Sequence, residues 1–265
     1  MVEECNYQII GQGKKTIVFV HYFGGDGGSW MWLAKRLQKK YTCILLTLPG
    51  FGNTMPLNEP SIYEYSKYII QCIADLKLEN YILCGHSMGA KLVLYASKLM
   101  SDKMPTKLIL IAPSPPTVEK MSATEKKRML KHPDKNEAIQ TVKGAAIKNI
   151  RKNRFQYAVD SQLRIDETTW SWWLLKGMQN NIADRIKDLN VPTYLIFSKN
   201  DPVIAHEAIY KEVLPYLKRP SLITIGNVGH LIPLEAPRKL ARQIRRIVNE
   251  KINSDASISR KANNS

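Results

Sequence analysis

The 265-residue sequence contains no run of about 18 apolar residues, the length needed to cross a bilayer, so we expect no membrane span. Residues 1–10 lack a basic region followed by a long apolar stretch, so no secretory signal is predicted and a cytoplasmic location is expected. Zinc-ligand spacings, helix-turn-helix signatures and aromatic RNA-binding motifs are also missing. We therefore expect no specific nucleic-acid partner, although the net charge of +16 attracts anions in general.

Cysteine is scarce, and the sequence shows no closely spaced cysteine pair. The four cysteines lie in or beside apolar runs, at Cys5, Cys43, Cys72 and Cys84. Free cysteine in such surroundings behaves as a small hydrophobic residue. We therefore expect four reduced thiols in the protein core.

Short β-branched runs alternate along the chain with longer segments of helical period. The predicted strands span residues 16–20, 43–47, 81–84, 107–111, 193–197 and 221–225. The predicted helices span residues 29–39, 61–77, 88–100, 206–217 and 236–248. This alternation predicts an α/β fold, in which a mostly parallel central sheet carries helices on both faces.

One long segment interrupts the alternation. Residues 113–190 contain no predicted strand; they are charged, helical in pattern and rich in tryptophan, and they start within the proline-rich stretch APSPPT. We interpret this cap segment as a helical insertion over the carboxyl edge of the sheet, and residues 1–112 and 191–250 as the core domain. Residues 251–265 are polar and without period, so a disordered tail is expected there.

The stretch GHSMG, residues 85–89, lies between a predicted strand and a predicted helix. This is the context of a nucleophile elbow, a tight turn that lifts a serine hydroxyl above the sheet. The serine takes strained backbone angles there, and the glycines two residues away avoid clashes between crowded chain segments. Ser87 is therefore the predicted nucleophile.

A serine hydroxyl needs a base to remove its proton and an acid to orient that base. His230 follows the last predicted strand, on a loop at the carboxyl edge of the sheet. Asp201 lies four residues past the end of the preceding strand, at the same edge. Because the order Ser87, Asp201, His230 is the one that this sheet topology requires, we predict a catalytic triad of these residues.

The reaction also needs a cradle for the negative oxygen that develops on a substrate carbonyl. The loop after the first predicted strand could supply a backbone N–H group, at Phe23, and the residue after the nucleophile, Met88, could supply another. His21 is expected to brace this loop rather than to transfer protons.

Five motifs resemble those of the alpha/beta-hydrolase superfamily. They are HYFGG at 21–25, LPGFG at 48–52, GHSMG at 85–89, NDPVI at 200–204 and GHLIPLEAP at 229–237. The resemblance spans most of the chain outside the cap segment and implies the alpha/beta-hydrolase fold. Family members usually carry a glycine after the first histidine; here Tyr22 replaces it, and Phe23 occupies the position of the oxyanion donor.

The serine nucleophile sets aside the haloalkane dehalogenases and epoxide hydrolases of this superfamily, which use aspartate. We expect an enzyme that cleaves a small-molecule carboxylic ester through an acyl-enzyme at Ser87, with no metal or organic cofactor. Carbon-carbon bond hydrolases, cofactor-free haloperoxidases and acyl-carrier-protein ester hydrolases remain alternatives, because the triad does not choose among them. A ligand receptor without turnover on the same scaffold is an alternative of another class.

Two features of the cap segment bear on the substrate, and each has a purely structural alternative. The tryptophans Trp170, Trp172 and Trp173 could roof an apolar substrate pocket or only pack the cap against the sheet. The run from Glu119 to Arg154 has eleven Lys or Arg against four Asp or Glu, a net charge of +7. It could dock an acidic partner such as an acyl carrier protein or steer anionic substrates, or its helix faces could simply be solvated.

Overall fold

The computed structural model describes residues 4–250, and seven strands of this part of the chain form one sheet. The strands are β1 (Asn6–Ile10), β2 (Lys15–Val20), β3 (Tyr41–Thr47), β4 (Tyr81–His86), β5 (Lys107–Ile111), β6 (Thr193–Phe197) and β7 (Ser221–Thr224). Their order is β1-β3-β2-β4-β5-β6-β7, and every pair is parallel except β1 with β3. The predicted α/β class with a mostly parallel sheet is confirmed.

Helices flank this sheet and connect its strands. The described helices are α1 (Met31–Leu37), α2 (Ile62–Asp75), α3 (Met88–Leu99), α4 (Ala123–Met129), α5 (Lys135–Ala145), α6 (Lys152–Leu163), α7 (Glu167–Leu175), α8 (Ala183–Ile186), α9 (His206–Ala208), α10 (Ile232–Glu235) and α11 (Pro237–Asn249). Among residues 4–250, no helix is both long and apolar enough to cross a bilayer.

The period of two in the strands explains why both faces of the sheet are covered. In β2, Ile17 and Phe19 belong to a buried cluster with α1 and α11, whereas Val18 and Val20 belong to one with α2 and α3. Successive side chains of a strand point to opposite faces, so a strand that is apolar at every position needs helices on both sides.

The edge strand β1 was not predicted from the sequence. Four of its five residues are exposed, so it lacks the apolar pattern on which strand prediction rests. It pairs with β3 and brings the start of the described chain next to α2.

The expectation of four reduced thiols is wrong for two of the cysteines. Cys5 and Cys72 form a disulfide, with Cα atoms 5.4 Å apart, while Cys43 and Cys84 are free and buried as expected. The partners are 67 residues apart in sequence and meet only because β1 adds to the edge of the sheet beside α2. Sequence spacing gave no indication of this pairing.

The helices α4 to α8 all lie between β5 and β6, in the segment 113–190. Several hydrogen bonds join this segment to the rest of the chain: Ser161 Oγ donates to the carbonyl of Gly24 at 3.0 Å, and Arg154 Nη1 donates to the carbonyl of Leu234 at 2.9 Å. The expected tail at residues 251–265 lies outside the described residues.

Candidate active site

The turn between β4 and α3 presents the hydroxyl of Ser87. This residue has φ 53° and ψ −117°, and its backbone N–H donates to the carbonyl of Ile111 at 2.9 Å. A positive φ is strained for any residue with a Cβ atom, which is typical of a position held for function. The turn therefore has the local geometry that its sequence predicts.

The two glycines beside Ser87 are required by close approach of the backbone. A Cβ atom on Gly85 would lie 2.4 Å from the carbonyl oxygen of Gly89. A Cβ atom on Gly89 would lie 2.5 Å from the carbonyl oxygens of Val20 and His21. Any larger residue would push α3 away from β4 and β2, so the spacing of these glycines follows from the packing of helix on strand.

The structure brings the three predicted triad residues into one chain of hydrogen bonds. His230 Nε2 lies 2.9 Å from Ser87 Oγ, and His230 Nδ1 lies 2.8 Å from Asp201 Oδ2. The other carboxylate oxygen of Asp201 accepts from the backbone N–H groups of Val203 and Ile204, at 2.8 and 3.0 Å. All three side chains are at least nine-tenths buried, so their geometry is fixed by packing.

Opposing effects act on the pKa of His230. Burial lowers it, but the charge of Asp201, the hydrogen bond that His230 donates to that carboxylate, and the charges of Glu119 and Glu235 raise it above the ordinary value of 6.5. The carboxylate stabilises the imidazolium form. His230 is thereby a stronger base than a free imidazole, which suits proton removal from a hydroxyl.

Two further histidines support this arrangement without touching Ser87. His86 Nε2 donates to the carbonyl of His230 at 2.9 Å, and burial lowers the pKa of His86, so that its ring stays neutral. His21 Nδ1 donates to the carbonyl of Tyr22 at 2.8 Å, while its Nε2 accepts from the N–H of Leu48 at 3.1 Å. His21 thus braces the loop after β2, in the role expected from the sequence.

The two backbone groups predicted to hold the oxyanion are positioned by different elements. Phe23 lies in the turn after β2, and Met88 is the first residue of α3, where an N–H group has no partner within the helix. Within residues 4–250 neither N–H group donates to a backbone or side-chain acceptor. The side chain of Met88 is buried in the core, so only its backbone is available to a substrate.

A cavity of about 450 Å³ opens beside Ser87 and His230. Trp170 and Trp173 line it together with Phe23, whose ring stacks on that of Trp170 with centroids 4.2 Å apart. The size and apolar walls of this cavity match those of typical small-molecule sites. Two of the three predicted tryptophans therefore border the cavity.

Of the two alternatives left open for the tryptophans, Trp172 takes the structural one. It is not among the residues that line the cavity, and its ring lies 5.0 Å from that of Tyr65 on α2. Successive residues of a helix are about 100° apart around its axis. Since α7 presents Trp170 and Trp173 toward the cavity, Trp172 lies on another side of the helix and packs against Tyr65 of α2.

Several polar residues of the cavity wall were missed by the sequence analysis, and Glu119 is one of them. Glu119 is only 7% exposed and lines the cavity together with Ser87 and His230. In the sequence it stands at the start of a charged run, beside Lys120, which is the pattern of a solvated surface. No local signal shows that this carboxyl is buried.

A model of the alpha/beta hydrolase family matches residues 17–243 of the chain. The chain belongs to the alpha/beta hydrolase family. A relative in this family, the uncharacterized hydrolase YugF of Bacillus subtilis, is 26% identical over 88% of this chain and 89% of its own length.

Two other relatives of this protein are named for different functions. The pimeloyl-[acyl-carrier protein] methyl ester esterase of Wigglesworthia glossinidia brevipalpis is 25% identical over 95% of this chain and 88% of its own. The Karrikin insensitive 2 receptor IA of Petunia hybrida is 23% identical over 94% of this chain and 96% of its own. Sequence similarity of this extent therefore reaches both an esterase and a receptor.

Solved structures agree with the fold of this family member. A bromoperoxidase from Bacillus anthracis superposes with a TM-score of 0.84 and 17% identity, over 92% of this chain and 95% of its own. An esterase from Exiguobacterium antarcticum superposes with a TM-score of 0.83 and 17% identity, over 93% and 96%. At this identity the comparison concerns the fold alone.

Proposed function

We propose that the protein is a serine hydrolase that cleaves a carboxylic ester through an acyl-enzyme at Ser87. The observation that carries this proposal is the hydrogen-bonded chain from Ser87 through His230 to Asp201, which meets the wall of a largely apolar cavity. The same chain of groups performs acyl transfer on several unrelated folds.

In the proposed reaction, His230 removes the proton of Ser87 as its oxygen attacks the ester carbonyl. The backbone N–H groups of Phe23 and Met88 stabilise the negative oxygen, and Asp201 stabilises the imidazolium of His230. His230 then gives its proton to the leaving alcohol. A water molecule from the solvent, activated by His230, then hydrolyses the acyl-enzyme to release the acid and free Ser87. The nucleophile, the base, the acid and the oxyanion donors all belong to the chain.

A panel of p-nitrophenyl esters of increasing acyl length tests this function. We expect sustained turnover, with an optimum at short to medium chains that fit a cavity of about 450 Å³. A burst of one equivalent of p-nitrophenol, together with an acyl mass increase on the peptide that contains Ser87, would identify the acyl-enzyme. Turnover that survives in Ser87→Ala would contradict the mechanism.

A receptor is the second candidate, because the similarity to the Petunia receptor covers nearly the whole chain. A receptor with an intact triad would give at most a slow or single-turnover reaction. The burst experiment therefore separates the two functions, since a receptor releases one equivalent of p-nitrophenol and then stops.

We further propose that an acidic carrier protein could present the acyl group. Two observations support this proposal. The segment from Glu119 to Arg154 has a net charge of +7, and the chain is similar to an esterase named for an ester bound to acyl carrier protein. An acyl ester linked to acyl carrier protein would then react with a higher kcat/KM than the same acyl group on a small neutral alcohol. Equal values would restrict the substrate to small molecules.

A further inference from the structure

Glu119 lies in the wall of the cavity beside Ser87, and a backbone hydrogen bond fixes its position in the chain. Glu119 follows β5 in the stretch that leads to α4, and its N–H donates to the carbonyl of Met178 at 2.9 Å. The side chain is only 7% exposed, and the residue borders the same cavity as Ser87 and His230. Both residues of this hydrogen bond belong to the cap segment, so contacts within the cap fix the backbone position of Glu119.

Within residues 4–250, the Oε2 atom of Glu119 is buried and has no hydrogen-bond partner. The Ser114 hydroxyl lies close enough to stabilise the charged form of this carboxyl, but it makes no hydrogen bond of regular geometry within the described residues. The charge of Lys91 acts on this carboxyl, while the ammonium group of Lys91 donates its hydrogen bond to the carbonyl of Thr117 at 2.9 Å. A carboxyl group that lies in a cavity wall with acceptor capacity unused can accept a hydrogen bond from a donor on a bound ligand.

Several charged groups face this carboxyl from different elements. Burial raises the pKa of Glu119, and the charge of Asp201 acts in the same direction. The Ser114 hydroxyl, Lys91 on α3 and His230 on the loop after β7 oppose that shift. In either protonation state, a carboxyl oxygen of Glu119 can accept a hydrogen bond from a group inside the cavity. Both the neutral and the charged carboxyl can therefore bind a donor on the substrate.

The wall of the cavity combines apolar side chains, among them Phe23, Trp170 and Trp173, with polar ones, among them Glu125 and Gln162. An apolar wall does not discriminate strongly between a methylene group and a hydroxyl of similar size. A buried acceptor does discriminate, because a substrate without a donor leaves it unpaired. A buried carboxyl that borders the same cavity as Ser87 and His230, as that of Glu119 does, is therefore suited to selecting the substrate.

We propose that Glu119 is a specificity-determining residue that selects esters carrying a hydroxyl or amino hydrogen-bond donor close to the scissile bond. The inference rests on the proposed ester hydrolysis at Ser87 and names the chemical class of its substrate. The donor can belong to the acyl group or to the alcohol, and the test distinguishes these two sources.

The test compares matched pairs of esters that differ only in hydroxyl groups. Methyl 3-hydroxybutyrate against methyl butyrate places the donor on the acyl side, and glycerol monobutyrate against propyl butyrate places it on the alcohol side. For at least one pair we expect the wild-type protein to favour the hydroxylated ester about tenfold or more in kcat/KM.

The variants Glu119→Leu and Glu119→Gln separate this role from a structural one. Glu119→Leu removes both acceptors, so we expect the preference to fall to about one, mainly through KM. The charge of Glu119 also raises the pKa of His230, so the two esters of a pair are compared within the same variant and at the same pH. Glu119→Gln keeps one acceptor oxygen and should retain part of the preference. Because Glu119→Leu also removes an unpaired buried group, we expect it to melt no lower than the wild type.

A preference near one in the wild type for both pairs, or one unchanged in Glu119→Leu, would overturn the inference. Calorimetric binding to Ser87→Ala keeps this result distinct from a failure of the proposed function. If the wild type turns over no ester, the proposed hydrolysis fails. Tighter binding of the hydroxylated ester to Ser87→Ala than to Ser87→Ala/Glu119→Leu would still support the role of Glu119, and equal binding would overturn it.

Discussion

The guanidinium of Arg164, at the end of α6, lies 3.0 Å from the carboxylate of Asp26 in the loop after β2. The other oxygen of that carboxylate accepts from the Tyr157 hydroxyl and, at 2.9 Å, from the backbone N–H of Gly28. The loop that carries Phe23 is thus fixed by α6 of the cap segment. A chain segment distant in sequence thereby positions a predicted oxyanion donor.

Removing one member of this network should loosen the loop without disturbing the sheet. We expect Tyr157→Phe, which deletes only the hydroxyl, to lower the free energy of unfolding by about 1 kcal/mol. Asp26→Ala should cost more, about 2–3 kcal/mol, because it leaves Arg164 and Tyr157 without their acceptor. Urea denaturation measures both changes, and equal stability of the two variants would show that the carboxylate does not hold the network together.

The hydrogen-bonded chain at Ser87 predicts a graded loss of activity on mutation. Ser87→Ala and His230→Ala should each lower turnover by roughly a million-fold where chemistry limits the rate. Asp201→Asn should cost less, about ten-thousand-fold, because it disturbs the orientation and charge of His230 without removing the base. Initial rates with a p-nitrophenyl ester measure the losses, and circular dichroism checks that each variant folds.

The raised pKa of His230 predicts the position of the acidic limb of the pH profile. The base must be neutral to accept a proton, so activity falls as pH drops through the pKa of His230. We expect half-maximal kcat/KM above pH 6.5, the ordinary value of the group. Asp201→Asn removes the charge that raises this pKa, so its limb should move to lower pH. A limb that stays in place in Asp201→Asn would contradict this assignment.

The disulfide between Cys5 and Cys72 predicts a definite thiol count. In denaturant without reductant, two thiols, those of Cys43 and Cys84, should titrate, and after reduction four should titrate. Because the bond closes a long loop, its reduction should lower stability by about 2–4 kcal/mol. Cys5→Ser should show a similar loss and no further change on reduction. Four thiols before reduction would show that the bond does not form.

The basic run of the cap segment could steer anionic substrates, and two of its lysines, Lys126 and Lys127, are suited to testing this. Arg128 is held by Glu125 and Glu137, so its replacement would disturb the packing of α4 on α5. Lys126 and Lys127 form no ion pair within the described chain. If this surface steers anionic substrates, Lys126→Glu/Lys127→Glu should lower their kcat/KM roughly three- to tenfold and leave a neutral ester unaffected.

Salt and a matched variant control this test. Raising the salt concentration from about 0.01 M to 1 M shortens the Debye length from about 30 Å to 3 Å and should remove most of the difference. Arg238→Glu/Arg242→Glu makes the same change of charge on the exposed face of α11. An equal effect of both double variants would show that only net charge matters.

The position of Ser87 and the chain order of its partners could be predicted from sequence, because local rules govern them. A strand, two glycines and a helix define the elbow through contacts between neighbours in sequence, and the ends of parallel strands place Asp201 and His230 at one edge. The rest depends on contacts between distant segments. Local pattern does not specify the pairing of Cys5 with Cys72, the burial of Glu119, or the side of α7 on which Trp172 lies.

Sequence by itself therefore determined the α/β architecture and the order and identity of the groups beside the cavity, since these follow from periodicity, glycine sterics and strand direction. Tertiary structure decided that Glu119, a charged residue beside Lys120 in the sequence, lies buried in the wall of the cavity. The segment after β5 is hydrogen-bonded to the carbonyl of Met178 through the backbone of Glu119, and the side chain of Glu119 lies in the wall of the cavity. Burial is a property of the whole fold, and the same charged residue on an exposed helix would only meet water.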